Sequence, residues 1–169
     1  NQITMKVCKF EKIKDEDEMK QVINCIQKEH PYVAVVPILA QLQEWLQAIS
    51  ISWFHEEDEA SHATVNAIEA YCCALANHLI TDSHLNQEIK NRILECIKKI
   101  HILVEDKADL LIDKMIKAEV YGLSSDLFTY CLRQQGLSCP NIRYRQTYTD
   151  QPGKKAGYPI YSGIYPTIH

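Results

Sequence analysis

A lysine at the end of a short strand, followed by a tight loop and a helix, is a common way to hold phosphate. Backbone N–H groups and the positive end of the helix meet the anion there. The run Met5-Lys-Val-Cys-Lys-Phe10, then Glu11-Lys-Ile-Lys14, then the acidic start Asp15-Glu-Asp-Glu18, has that order and makes Lys9 the candidate phosphate contact. Its loop carries no glycine, and Glu11 would repel a triphosphate that Lys12 and Lys14 only partly offset. Arg143 and Arg145, beside Tyr144 and Tyr148, form a second group able to bind an anion or stack on a base, although a solvated strand end has the same composition. Ser124 and Ser125 read as capping or packing residues near Gly122, and Glu56 to Glu59 as a solvated helix start rather than a calcium site. No P-loop, H-E-x-x-H or nucleophile-elbow pattern is present.

The seven cysteines form no C-x-x-C pair, and most fall on apolar faces. Reduced core thiols are therefore expected, rather than zinc ligands or disulfides. His55, His62, His78 and His84 lack a convincing i,i+4 partner and read as surface or helix-end residues, so no metal site is expected. The chain has 169 residues, 46% of them hydrophobic, which suits one domain with a real core. A net charge of −4 gives no reason to expect nucleic acid. No run approaches the roughly 18 apolar residues of a membrane helix, and no signal-peptide pattern opens the chain, so a cytoplasmic protein is expected.

These residues must be positioned by alternating elements. Lys6 to Phe10 and the apolar run Val33-Ala-Val-Val36 are expected strands flanking a helix from about Asp15 to Lys28, capped by Asp15 with Glu18 three residues on. His30-Pro31 ends that helix, giving a βαβ unit. After Pro37 the chain is mostly helical. Stripes run through Leu42, Trp45, Leu46 and Ile49, then Ile68, Tyr71, Cys72, Leu75 and Leu79, then Ile89 to Val104. Leu110, Leu111 and Met115 mark a further helix, and Gly122 interrupts before Leu127 to Leu132 resume the pattern up to Gly136. Ser138 to Tyr144 is an expected strand parallel to the first two, and a short strand is expected at Tyr158 to Tyr161. One domain spans 1–169, with a core over 1–150 and a Pro/Gly/Tyr-rich tail over 151–169.

The opening segment resembles the start of the aspartokinases of the amino acid kinase family, M-K-V-x-K-F-G-G-T-S, through Lys6, Val7, Lys9 and Phe10. Val33 to Ala40 is similar to the family's second strand, V-V-V-V-S-A-M-G. Asp113 to Phe128 is similar to the segment around S-x-G-E-x-L-S-A-x-L, with Leu123 in place of the glutamate that meets the substrate amino group. Asn141-Ile-Arg143 lies where the family has D-A-R, and Tyr158 to Ile164 resembles the strand P-V-V-T-G-F. The resemblance spans nearly all of this chain but only the first half of a family catalytic domain.

That resemblance implies an α/β fold, an incomplete three-layer α/β/α sandwich of the amino acid kinase type with a helix-rich middle. It implies Lys9 as a phosphate contact and Arg143 as a substrate-binding residue. The lost glycines, the Leu123 replacement and the missing nucleotide half imply a catalytically inactive domain that binds a partner or metabolite, or is a relic, with no cofactor. The alternative is part of a working aspartate kinase, using Mg-ATP, whose nucleotide half lies outside this chain. A homodimer or a partner protein would cover the missing half. A helical interaction module unrelated to kinases is a third reading.

Overall fold

The computed structural model describes residues 6–9, 13–29, 32–35, 39–138, 160–161 and 165–166, with side chains over 13–25 and 39–136. The first helix, α1 (Glu16–Glu29), starts as its sequence dictates. Asp15 Oδ1 accepts the Glu18 N–H at 2.9 Å, and the Glu18 carboxylate accepts the Lys14 N–H at 2.7 Å. This is a capping box whose return bond falls one residue early. Its inner face buries Met19 and Ile23.

Four long helices follow: α2 (Ala40–Phe54), α3 (Asp58–Leu79), α4 (Ser83–Glu105) and α5 (Leu111–Gln134). Each packs on the next, and α2 also touches α5, so the four close into a bundle with α1 against α5. Short connections make successive helices antiparallel neighbours. The first connection reverses the chain through Glu56, whose φ of 57° is left-handed. Glu57 N–H reaches Ser52 O at 2.8 Å and Glu56 N–H reaches Trp53 O at 3.1 Å, the two bonds of a Schellman ending. Asp82 caps α4 by accepting the Leu85 N–H at 2.9 Å. The buried stripes Leu42, Leu46 and Ile49 of α2, Ile68 and Cys72 of α3, and Ile89, Ile93 and Ile97 of α4 meet inside.

The second half of α5 departs from an amphipathic helix, because every residue from Val120 to Leu132 is buried. A helix apolar all round belongs in the middle of a structure rather than on its surface. Some of its polar members are held internally. Asp126, fully buried, meets Arg92 Nη1 at 3.2 Å, and Thr129 Oγ1 donates to Ser125 O at 2.8 Å.

Several expectations are corrected here. The three-layer α/β/α sandwich is not the fold, and the chain is mainly α-helical. The helices bury their stripes against one another, and among the described residues no sheet separates two helical layers. The strands β1 (Lys6–Lys9) and β2 (Tyr32–Val35) do pair in parallel around α1, with Val7 opposite Val33 and Cys8 opposite Ala34. They are four residues each, and β4 (Ile160–Tyr161) joins β2 antiparallel. The third parallel strand is absent where it can be tested. β3 (Leu137–Ser138) pairs antiparallel with β5 (Tyr165–Pro166) in a separate sheet, and 139–144 lie outside the described residues.

Two helical expectations also change. Gly122 does not interrupt anything, since α5 runs through it as a single helix. Leu110, Leu111 and Met115 are not core, being 70%, 60% and 50% exposed, while Ile112, Ile116 and Val120 face inward. Residues 112, 116 and 120 recur every four positions, so they continue the buried face of the helix that the exposed leucines only appeared to mark.

Candidate functional site

Of these exposed residues, Leu110 lines a largely apolar groove between α2 and α5. α2 and α5 lie antiparallel, with Phe54 near Leu110 at one end and Gln43 near Tyr121 at the other. Two cavities of about 510 and 460 Å³ occupy the furrow between them and meet at Ser50, Ile51 and Lys117. Ile51 and Phe54 are 61% and 70% exposed, which is unusual for large apolar side chains grouped on one face.

The floor of the groove is fixed. Trp53 is buried, its Nε1–H donates to Asp106 O at 2.9 Å, and the Lys107 ammonium lies 5.4 Å from its ring centre. Lys107 is itself anchored by Asp58 at 3.0 Å. On the wall, Asp113 accepts from Ser50 Oγ at 2.8 Å and pairs with Lys117 at 3.2 Å. Lys114 lines the same wall and forms no ion pair among the described residues.

A second, more polar cleft of about 320 Å³ lies where α1 meets the C-terminal ends of α3 and α5. Its polar groups are mostly occupied in bracing the joint. Gln134 Nε2–H donates to Leu79 O at 2.5 Å, its Oε1 accepts the Asp82 N–H at 2.8 Å, and His78 meets Glu16 at 3.5 Å. Burial pushes the Cys131 thiol up to about 12, so the one sulfur in this cleft is not a nucleophile.

Between α3 and α4 the structure joins residues that local spacing could not. His62 and His101 stack with ring centres 4.9 Å apart and share an Nδ1–Nδ1 hydrogen bond of 2.7 Å. His62 Nε2 meets Glu105 at 3.0 Å, and His101 Nε2 meets Asn66 at 3.1 Å. Burial, then the charge of His62, lowers the His101 pKa below its ordinary 6.5. The two rings are far apart in sequence, on different helices, so only their place on facing stripes could have signalled the contact.

The residues singled out from sequence do not converge. Lys9 ends β1, with its side chain outside the described residues, and Arg143 lies outside them altogether. Leu123 is buried in mid-helix, Ser124 and Ser125 are packed beside it with no break to cap, and Glu56 to Glu59 span the turn from α2 into α3. Cys72, Cys96 and Cys131 are buried, Cys25 and Cys73 half-buried, and burial raises Cys72 and Cys73 above the ordinary thiol range. Among the described residues no group of His, Cys, Asp and Glu is set to hold a metal ion, and no helix is long and apolar enough to cross a membrane. No family model, curated protein or solved structure matches the chain, so the amino acid kinase resemblance rests on the quoted residues alone.

Proposed function

We propose that this chain works by binding rather than by catalysis, through the face shared by α2 and α5. The observation that carries the reading is the open apolar furrow with Ile51, Phe54 and Leu110 on its walls, over a floor held rigid by Trp53. Exposed apolar surface of this kind costs solubility, and it marks interaction sites in folded proteins. The free, buried and half-buried thiols suit a reducing compartment, which supports a cytoplasmic location.

An apolar fluorescent dye tests the face directly. The folded protein should enhance dye fluorescence, and Ile51→Ser with Phe54→Ser should lower the signal about threefold, as expected when two exposed anchors of one patch are removed. Melting should hardly change, because substitutions at exposed positions shift stability by about 0.5 kcal/mol or less. A folded wild type that does not enhance the dye would refute the reading. The reading also expects no phosphorylated aspartate from purified chain with Mg-ATP and aspartate, and its formation would count equally against it.

A further inference from the structure

We infer that the joint between His62 and His101 is a proton-operated latch: it closes the last turn of α4 on α3 with at most one added proton, and a second proton releases that turn together with the clamp on Trp53. The inference stands on the joint itself, independently of what the furrow binds. Four groups lie in line. The ring centres are 4.9 Å apart and the Nδ1 atoms 2.7 Å, so both nitrogens lie close to the line between the centres and point at one another. An ionised Glu105 can only accept, so His62 Nε2–H donates to it at 3.0 Å, and the Nδ1 of a neutral His62 is left to accept from His101 Nδ1–H. Asn66, 3.1 Å from His101 Nε2, can turn its amide to donate to a bare nitrogen or to accept from a protonated one. One added proton therefore fits. A second puts hydrogen on both Nδ1 atoms, and the 2.7 Å contact does not survive it.

The groups around the pair set the pH at which it opens. Among the described residues, Glu69 on α3 and Glu105 on α4 are the carboxylates that act on His101, while Asp58, one turn before His62, is held by Lys107 at 3.0 Å. Burial and the charge of His62 lower the His101 pKa below 6.5, and the two carboxylates offset only part of this. The latch is therefore closed above 6.5 and opens as pH falls through the lower folded value. The opening is local. Ile97 and Ile100 are buried and hold α4 up to that point, whereas in the last turn, His101 to Glu105, only Val104 is buried. Directly after it the Asp106 carbonyl accepts Trp53 Nε1–H at 2.9 Å, and the Lys107 ammonium lies 5.4 Å from the Trp53 ring centre, so a shift of the turn reaches Trp53.

The test reads tryptophan emission of the full chain carrying Trp45→Phe, which leaves Trp53 as its one tryptophan, from pH 7.5 to 5. Emission should shift to the red and acrylamide quenching should strengthen, with a midpoint below 6.5 and far-ultraviolet circular dichroism nearly constant. His101→Gln and His62→Gln, each checked for native circular dichroism at pH 7.5, should lose the transition. Glu105→Gln keeps both rings and removes a neighbouring negative charge, so it should move the midpoint to lower pH. His55→Gln should leave the transition in place, although His55 lines the same cavity as Trp53. Emission that stays constant over this range would overturn the inference, as would a transition that survives both histidine variants or one that His55→Gln removes. A transition in which helix content falls in step would overturn it too, because the whole molecule rather than one turn would then be opening.

Discussion

The stacked pair His62 and His101 shows what the structure adds at the scale of residues. An Nδ1–Nδ1 bond needs one donor and one acceptor, so protonating both rings breaks it and brings two cations face to face. Glu105, Glu69 and Asn66 surround the pair, and the two carboxylates offset only part of the burial and of the His62 charge that hold His101 down. With its folded pKa below 6.5, His101 is stabilising above that pH, and this contribution is lost as pH falls through the lower folded value. Wild type should therefore lose more melting temperature between pH 7.5 and 5 than His101→Gln does. Parallel pH profiles would exclude His101 as the source of this pH dependence. A second residue-scale expectation concerns Asp126, fully buried against Arg92. Arg92→Met should cost roughly 1–3 kcal/mol by denaturant unfolding, because it strips a buried carboxylate of a charged donor. Neither pair was legible in sequence. Single histidines or a single arginine carry no local period, whereas Lys9 drew notice from an expected strand end and both Lys9 and Arg143 from the resemblance to family motifs.

At the scale of elements, the apolar stripes located α2, α3 and α4 well, since Leu42, Leu46, Ile49, Ile68, Cys72, Ile89 and Ile93 do face inward. α5 was harder to read. Its second half is buried on all sides, so no contrast between faces exists to set its phase, and a glycine in mid-pattern looks like a stop. Gly122 has helical neighbours on both sides, and no described atom lies within 4 Å of a Cβ placed on it. Gly122→Ala should accordingly stabilise by about 1 kcal/mol through lower backbone entropy, read as a rise in melting temperature of about 2–4 °C. A fall would mean that this part of α5 is packed too closely for a methyl group. Gly136 is different, because its φ of 81° follows the end of α5 and only glycine adopts it without strain. Gly136→Ala should therefore destabilise by about 1 kcal/mol, and the opposite signs of the two alanines separate a helix interior from a helix end.

The whole molecule turns on which elements form the core. Val7 opposite Val33 is a real parallel pair around α1, and a reading from local patterns reached it correctly. The step from one βαβ unit to a sandwich failed for a physical reason. Strands of four residues offer little area, while α2 to α5 carry 15 to 24 residues each and bury their stripes in one another. Periodicity reports which face of an element is covered and is silent about what covers it. Native-state hydrogen exchange distinguishes the two architectures. Amides at the centre of a fold exchange only through global opening, and those near its margin exchange through smaller, cheaper fluctuations. In a bundle centred on α5, the slowest amides should lie between Val120 and Leu132 and on the inward faces of α3 and α4, around Ile68, Cys72, Ile93 and Ile97. Those of β1 and β2 should exchange earlier, since among the described residues the two strands share one short parallel pairing and β2 adds two residues of antiparallel contact with β4. Protection of Val33 to Val35 that outlasts Leu127 and Phe128 would make the strands the core after all. It would return the helices to the role of a covering layer.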